Sequence, residues 1–214
     1  MDKNSKKANE ISEVLSKLIP NAKSELNFSN NLELLIAVML SAQCTDKRVN
    51  VVTEELFKKY KTAGDYANLD YEELANDIKS CNYYHNKAKN IVEACKVLVE
   101  KYDGQVPHEH DKLVELPGVG NKTASVVEAV GFGLPAFAVD THILRVSNRL
   151  GLVETTSPDK CSQVLKSLYA ESEWGDTHHL MLLFGRYFCT ARNPKCEGCK
   201  LKSYCKENST EGGK

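Results

Sequence analysis

The amino-acid sequence predicts an all-α protein. Apolar residues recur at helical spacing along nearly the whole chain, and the strict alternation that marks a half-buried strand is essentially absent. Prolines, glycines and capping residues separate these periodic runs. The 214 residues can bury a substantial core in one large or two small domains, and their pattern predicts about ten helices.

The first half of the chain contains five predicted helices. Pro20 ends the first, and the nearly continuous apolar run of the second predicts a helix buried on most faces. Asp70-Tyr-Glu-Glu73 resembles a capping box before the fourth, and Asp103-Gly104 ends the fifth. The first two are expected at residues 2–19 and 32–43, and the apolar stripes of the other three lie within 49–60, 74–78 and 88–102.

The second half contains five more. A short helix leads to the turn Leu116-Pro-Gly-Val-Gly120, and a break at 131–135 follows the next helix. Further along, Ser157 caps a helix that has proline at its first position. Besides the short helix and the one that Ser157 caps, the pattern predicts helices at 121–130, 141–149 and 174–187.

Near the C-terminus, four cysteines have the spacing C-x6-C-x2-C-x5-C with no histidine between them. Four thiolates can hold zinc or an iron–sulfur cluster, and zinc usually takes its ligands from two short knuckles. Only one short knuckle is present, so the spacing favours a [4Fe–4S] cluster. A zinc ribbon and a pair of disulfides are the alternatives. The candidate ligands are Cys189, Cys196, Cys199 and Cys205.

The other cysteines stand singly among apolar neighbours, as packing residues do; they are Cys44, Cys81, Cys95 and Cys161. The start Met-Asp-Lys-Asn-Ser-Lys-Lys contains no apolar signal-peptide core, so we expect the protein in the reducing cytosol, where disulfides are rare. No apolar stretch reaches the length of about 18 residues that a membrane span requires.

Charge is distributed unevenly along the chain. The net charge is −1, as in an ordinary soluble enzyme. Residues 186–206 contain six basic residues and one acid, a net charge of +5, so the rest of the chain carries −6. This segment is either a solvated tail around a metal site or a patch that faces phosphate.

The turn before the helix at 121–130 is a candidate anion site. Gly118 and Gly120 follow a proline, so backbone amides at the start of the helix can point outward and bind a phosphate. An ordinary helix–helix turn is the alternative. Lys122 stands in the first turn of this helix, where the positive helix end and a bound substrate both favour a neutral, nucleophilic amine.

Asp140 precedes the helix at 141–149 and is suited to be its N-cap. If it faces Lys122, its carboxylate can stabilise positive charge that develops on a sugar ring, and can accept protons.

These motifs together resemble the endonuclease III family, bifunctional DNA glycosylases and AP lyases of the helix–hairpin–helix superfamily. The resemblance runs in order from about Glu25 to Cys205. It is carried by the cysteine quartet and three segments: Leu40-Ser-Ala-Gln-Cys-Thr-Asp46, Leu116-Pro-Gly-Val-Gly-Asn-Lys122-Thr-Ala and Val139-Asp-Thr-His142.

The resemblance implies a two-domain helix–hairpin–helix DNA glycosylase fold with a C-terminal [4Fe–4S] cluster loop and a DNA cleft between the domains. Residues 24–134 would form a six-helix domain with the hairpin and the catalytic lysine. Residues 1–23 and 135–214 would form the iron–sulfur cluster domain with the catalytic aspartate.

The implied reaction is base excision on double-stranded DNA that contains an oxidised pyrimidine or an abasic site. The damaged base is flipped out of the duplex. Lys122 attacks C1′ with help from Asp140, a Schiff base forms, and β-elimination cleaves the strand 3′ to the lesion. We expect a monomer that acts in the cytoplasm at the nucleoid.

The resemblance also assigns DNA contacts. Gln43 matches the residue that fills the gap left by the flipped base, and Tyr83 matches a second wedge. The phosphate contacts would come from Gly118, Gly120, Arg192 and Lys195.

The chain departs from the family pattern at two positions. Asn82 stands where glycine is common, and asparagine tolerates the left-handed conformation such a loop requires. Asn193 stands where a lysine is often found, which removes one candidate phosphate contact. The low net charge further predicts modest, strongly salt-dependent DNA binding.

Two other functions are compatible with parts of the pattern. A monofunctional adenine mismatch-type glycosylase shares the hairpin and the cluster. That family, however, lacks the lysine at position 122, has Asp-Gly-Asn where this chain has Asp140-Thr-His142, and carries a further domain. A non-catalytic iron–sulfur DNA-binding module would bind abasic DNA without cleaving it.

Overall fold

A computed structural model describes residues 3–206 of the chain. This part contains eleven α-helices and no strand, which confirms the all-α class. A π-helical turn at Val127–Gly131 and 3-10 turns at Glu171–Glu173 and Lys202–Tyr204 complete the elements. The helices are α1 Lys3–Leu18, α2 Asn31–Ser41, α3 Asp46–Lys59, α4 Ala63–Ala67, α5 Tyr71–Asp77, α6 Tyr84–Tyr102, α7 His110–Val114, α8 Asn121–Val126, α9 Thr141–Arg149, α10 Pro158–Leu168 and α11 Trp174–Tyr187.

The chain divides into two compact units. The central unit is Ser24–Leu134, and the terminal unit combines Met1–Lys23 with Pro135–Lys214. Residues 1, 2 and 207–214, which the predicted cluster domain includes, lie outside the described residues. The central unit contains α2 to α8, one helix more than the six implied by the family resemblance.

The core of the central unit is built around α2 and α6. Every residue of α2 from Leu34 to Leu40 is buried, as the continuous apolar run predicts. Helix α6 packs against α4 and α5 through a stripe that includes Ile91, Cys95 and Leu98. Burying such a stripe is the main source of stability for a helix in water.

The core of the terminal unit joins distant parts of the sequence. Helix α1 contributes Ile11 and Leu15, which pack with residues of α9, α10 and α11. The hydroxyl of Tyr169 donates a hydrogen bond of 3.2 Å to the carbonyl of Ala8. Leu201, between the third and fourth cysteines of the quartet, is fully buried in this core.

Capping side chains explain most helix starts. Asp70 caps α5 and Ser157 caps α10, which has Pro158 at its first position, as predicted. Helix α4 was not predicted, because its five residues are too few to show a period and no proline–glycine turn follows it, as one follows the equally short α7. It starts at a capping box in which the Thr62 hydroxyl accepts from the Asp65 amide.

The helix predicted at 121–130 changes character after Val126 and continues as the π-helical turn Val127–Gly131. Gly131 ends this turn against α2, where an added Cβ would lie 2.9 Å from side-chain atoms of Asn31 and Leu34. None of the described helices is both long enough and apolar enough to cross a membrane.

Candidate functional site

Helices α7 and α8 are joined by a tight hairpin in the central unit. Leu116 and Val119 are buried and anchor it, and the Val119 amide donates to the Leu116 carbonyl at 3.0 Å. Gly118 has φ 78°, and a Cβ there would lie 2.7 Å from the Cβ of Asn90. Only glycine meets both conditions, so Gly118 is required by the fold itself.

Gly120 differs from Gly118. Its φ is −97°, which any residue can adopt, and a Cβ added there would meet no heavy atom within 4 Å. Gly120 is exposed and is the N-cap of α8, whose first-turn amides receive no side-chain cap from the described residues. A ligand backbone can therefore approach these amides closely, as the anion-site interpretation requires.

Lys122 is the second residue of α8 and is exposed. Beside it, Asn121 Oδ1 lies 3.3 Å from Nε2 of His110, whose Nδ1 lies 2.9 Å from a Glu128 carboxylate oxygen. The hydrogen bond that His110 donates to the Glu128 carboxylate raises the pKa of His110. These two contacts link α7, α8 and the π-helical turn next to Lys122 in the sequence. No sequence motif indicated them, since the three residues that they join are 7 to 18 residues apart.

Asp140 belongs to the terminal unit and is the N-cap of α9. Its Oδ1 accepts hydrogen bonds of 2.8 Å from the amides of His142 and Ile143. The N-cap predicted from the sequence is therefore present. Two amide donors hold the carboxylate at the positive end of α9, where a negative charge is stabilised.

The cysteine quartet follows α11 in the terminal unit. All four thiols are free, which argues against the pair of disulfides. They line one pocket together with the apolar side chains of Phe184, Phe188 and Leu201. Among residues 3–206, no three His, Cys, Asp or Glu side chains are grouped closely enough to hold a single metal ion. Four thiolates in one pocket are the donor set that an iron–sulfur cluster requires.

Two arginines of α9 hold the start of this cysteine loop. Arg149 Nη1 donates to the Thr190 carbonyl at 2.8 Å and to Cys189 Sγ at 3.5 Å. Arg145 Nε donates to the Cys189 carbonyl at 3.0 Å. Burial raises the pKa of the Cys189 thiol, and the bond from Arg149 opposes that change. No sequence motif indicated either arginine, because both lie 40 or more residues from their partners.

The basic residues predicted to contact phosphate lie in the loop between the first two cysteines. Arg192 and Lys195 are both exposed. The loop folds back on itself, because the Thr190 hydroxyl donates to the Arg192 carbonyl at 2.8 Å and the Lys195 amide donates to the Phe188 carbonyl at 3.0 Å. Asn193 takes a left-handed conformation at its tip, with φ 50°.

Gln43 and Tyr83, the two predicted wedge residues, share an unusual feature. Both are exposed, and both have left-handed backbones, with φ of 54° and 57°. In the segment where asparagine replaces the common glycine, the left-handed backbone belongs to Tyr83 and not to Asn82. The Asn82 side chain donates to the carbonyl of Gln43 at 2.6 Å, so the two loops are in direct contact.

Comparisons with known proteins agree with this geometry. The family described as the HhH-GPD superfamily of base excision DNA repair proteins matches residues 36–171. The iron–sulfur binding domain of endonuclease III matches residues 189–205. Fold and site thus define a helix–hairpin–helix protein of base excision DNA repair with an iron–sulfur loop.

Within this class, the chain belongs to the endonuclease III family. Endonuclease III of Bacillus subtilis is 51% identical over 193 residues, which cover 89% of this chain and 87% of that relative. A solved structure of a trapped endonuclease III–DNA covalent intermediate matches with a TM-score of 0.93 and 47% identity, covering 97% of this chain and 98% of that one. A non-covalent endonuclease III–DNA complex also matches with a TM-score of 0.93, at 46% identity and 97% coverage of each chain.

The protein is therefore a DNA glycosylase of base excision repair that binds DNA, and its cofactor is a [4Fe–4S] cluster. The structure offers a donor set that fits this cofactor. Four free thiols line one pocket together with the apolar side chains of Phe184, Phe188 and Leu201.

Proposed function

We propose that the protein removes oxidised pyrimidines from double-stranded DNA and then cleaves the strand 3′ to the abasic site. The observation that carries this proposal is the exposed Lys122, two residues after the N-cap Gly120, at a helix start whose amides can bind a phosphate. That a related enzyme was captured as a covalent intermediate with DNA supports the proposal. The protein would act as a monomer in the cytoplasm.

In this mechanism, Lys122 is the nucleophile. Its Nζ forms a bond to C1′ of the flipped nucleotide as the bond to the damaged base breaks, and the base leaves with the electron pair. Ring opening gives a Schiff base. Loss of a proton from C2′ then expels the 3′-phosphate and cleaves the strand.

Asp140 would stabilise the positive charge that develops on the sugar while the base leaves. The two amide bonds to its Oδ1 orient the carboxylate before substrate binds, so that little reorganisation is required during the reaction. Lys122 and Asp140 come from different units of the chain.

The four cysteines of the quartet are the ligands we propose for the cluster. A bound [4Fe–4S] cluster can exchange one electron, but we assign it a structural task. It would hold both ends of the basic loop, residues 190–195 between the first two cysteines, so that Arg192 and Lys195 face the DNA backbone. The pocket that the four thiols share supports this arrangement.

The substrate range is tested by a gel assay on duplexes that carry single, different lesions. We expect cleavage at oxidised pyrimidines and at abasic sites, with undamaged DNA left intact. Binding to abasic DNA without cleavage would favour the non-catalytic module, and excision of adenine from mismatches would favour the monofunctional glycosylase.

The basic loop provides a prediction about DNA affinity. Arg192→Ala and Lys195→Ala should each weaken binding and reduce the slope of log affinity against log salt by about 0.9, because one phosphate contact is lost. Single-turnover excision should stay within a few-fold of wild type. Lys160→Ala, an exposed lysine of α10 outside the loop, is the matched control. An equal loss of DNA affinity in all three variants would indicate a general effect of net charge and would contradict specific phosphate contacts by this loop.

The two hairpin glycines provide a second prediction. Gly118→Ala should cost about 2 kcal/mol of stability, because a left-handed backbone disfavours alanine and the methyl group meets Asn90. Gly120→Ala should leave the unfolding midpoint unchanged, because the added methyl group meets no heavy atom of the chain within 4 Å. It should weaken DNA binding, because the methyl group would occupy the open space beside the start of α8 where the DNA backbone is proposed to lie. Thermal unfolding and equilibrium binding separate the two effects. Wild-type binding by Gly120→Ala would argue against a phosphate at this position.

A further inference from the structure

Lys87 is a buried lysine with a specific task. Only 8% of the residue is exposed, although it stands in the first two turns of α6. Its Nζ donates to the carbonyls of Leu40 at 2.7 Å and of Ala42 at 2.6 Å. These acceptors lie at the C-terminal end of α2, directly before Gln43.

The end of α2 depends on an outside donor. The last carbonyls of a helix have no partner within the helix, and a left-handed residue at the end usually supplies amides for them. Here Gln43 is left-handed and follows the C-cap Ala42, but Ala42 has φ −56° and ψ 114°, and the amide after the turn, that of Cys44, donates to the Ser41 carbonyl at 3.0 Å. The Lys87 ammonium supplies donors to two other carbonyls at this end, and its charge suits the negative end of a helix.

Asn82 donates a hydrogen bond to the carbonyl that follows, that of Gln43. Its Nδ2 donates to the carbonyl of Gln43 at 2.6 Å, and the Tyr83 carbonyl accepts from the Lys87 amide at 3.0 Å. Segment 82–87 therefore binds the carbonyls of residues 40, 42 and 43 and also contains the left-handed Tyr83. A non-glycine residue keeps a left-handed backbone conformation only when contacts with the surrounding residues stabilise it.

We infer that Lys87 and Asn82 are positioning residues, which fix the Gln43 and Tyr83 corners as one rigid element that enters the duplex beside the flipped nucleotide. This inference rests on the proposed role of Gln43 in filling the gap. It adds two residues that would act through Gln43 and its neighbours rather than through a bond to the reacting atoms. It also explains why the chain tolerates asparagine at position 82: the side chain supplies a bond that glycine does not have.

The test uses holoenzyme and single-turnover excision on a duplex with one oxidised pyrimidine. Lys87→Met keeps the length of the side chain but removes its donors, and should slow excision about ten-fold. Lys87→Arg retains donors and should recover most of the rate. Asn82→Ala changes an exposed residue and should slow excision without loss of thermal stability, whereas the neighbouring exposed Asn86→Ala should have no effect.

A double-mutant cycle separates positioning from a merely structural role. If the two residues act through Gln43, Lys87→Met and Asn82→Ala should add little to the defect of Gln43→Ala. Defects that multiply in full would overturn the inference. So would an Asn82→Ala protein with wild-type excision.

Amide hydrogen exchange distinguishes this inference from the proposed function. The Cys44 amide donates to the Ser41 carbonyl at 3.0 Å, so its exchange rate reports on the corner. Exchange should accelerate in Asn82→Ala, and unchanged exchange would overturn the inference whatever the activity. Faster exchange together with a fully active Gln43→Ala would support the positioning of the corner and reject the gap-filling role. Failure of the wild-type protein to cleave abasic DNA would reject the proposed function itself.

Discussion

Replacing Lys122 by glutamine is expected to abolish strand cleavage and to leave DNA binding in place. If the Lys122 amine bonds to C1′ during turnover, borohydride added to a reaction with abasic or oxidised DNA should reduce the Schiff base and trap a covalent adduct. Glutamine has no amine that can form this bond, so adduct and product should both disappear. Binding should persist, since the hairpin amides after Gly118 and Gly120 are unchanged.

Two further variants test whether the loss of adduct is specific to Lys122. Lys112→Gln changes an exposed lysine of α7, which pairs with Glu109, and should trap adduct at the wild-type rate. Asp140→Asn keeps an oxygen that can accept the amides of His142 and Ile143, so α9 stays capped while the charge is lost. It should slow base excision strongly but retain some trapping at preformed abasic sites, where the aldehyde is already available. An adduct formed by Lys122→Gln at the wild-type rate would place the nucleophile elsewhere.

Loss of the cluster is expected to have the largest effect on stability. Purified protein should be yellow-brown and contain about four irons per chain, and Cys199→Ser should lose both the colour and the iron. Leu201 is fully buried two residues further on, so release of the loop would expose it and cost about 2 kcal/mol from this side chain alone. Iron analysis, visible absorption and thermal unfolding measure these changes.

Cys44→Ser is the matched control for this experiment. Cys44 is half-buried in the central unit, outside the quartet, and its replacement should leave the iron content unchanged. A colourless, zinc-loaded protein with full activity would contradict the assignment of the cofactor site. Retention of iron by Cys199→Ser would remove Cys199 from the ligand set.

Most helices could be predicted because their signals are local. The sequence predicted α9 at 141–149 and α11 at 174–187, and the structure confirms both bounds. Each helix combines an apolar stripe with a start or stop residue nearby, as with Ser157 before α10. Helix α4 has five residues, too few to show a period, and unlike the equally short α7 it is not followed by a proline–glycine turn, so it was not predicted.

The candidate site residues could be predicted where they belong to short sequence motifs. The cysteine spacing indicated a cluster, and two glycines before Lys122 indicated an anion site. The same pattern did not distinguish the two glycines. Gly118 is required by its φ of 78° and by Asn90, whereas no contact within the chain requires Gly120.

By itself, the sequence determined the helical class, most helix bounds and the residue types that can carry the chemistry, because capping, periodicity and ligand spacing act over a few residues. Only the tertiary structure showed what holds those residues in place. Lys87 reaches carbonyls 45 and 47 residues away, and Arg145 reaches Cys189 across 44 residues. Contacts between residues this far apart in the sequence form because packed helices bring distant segments together, and no local sequence pattern predicts that packing.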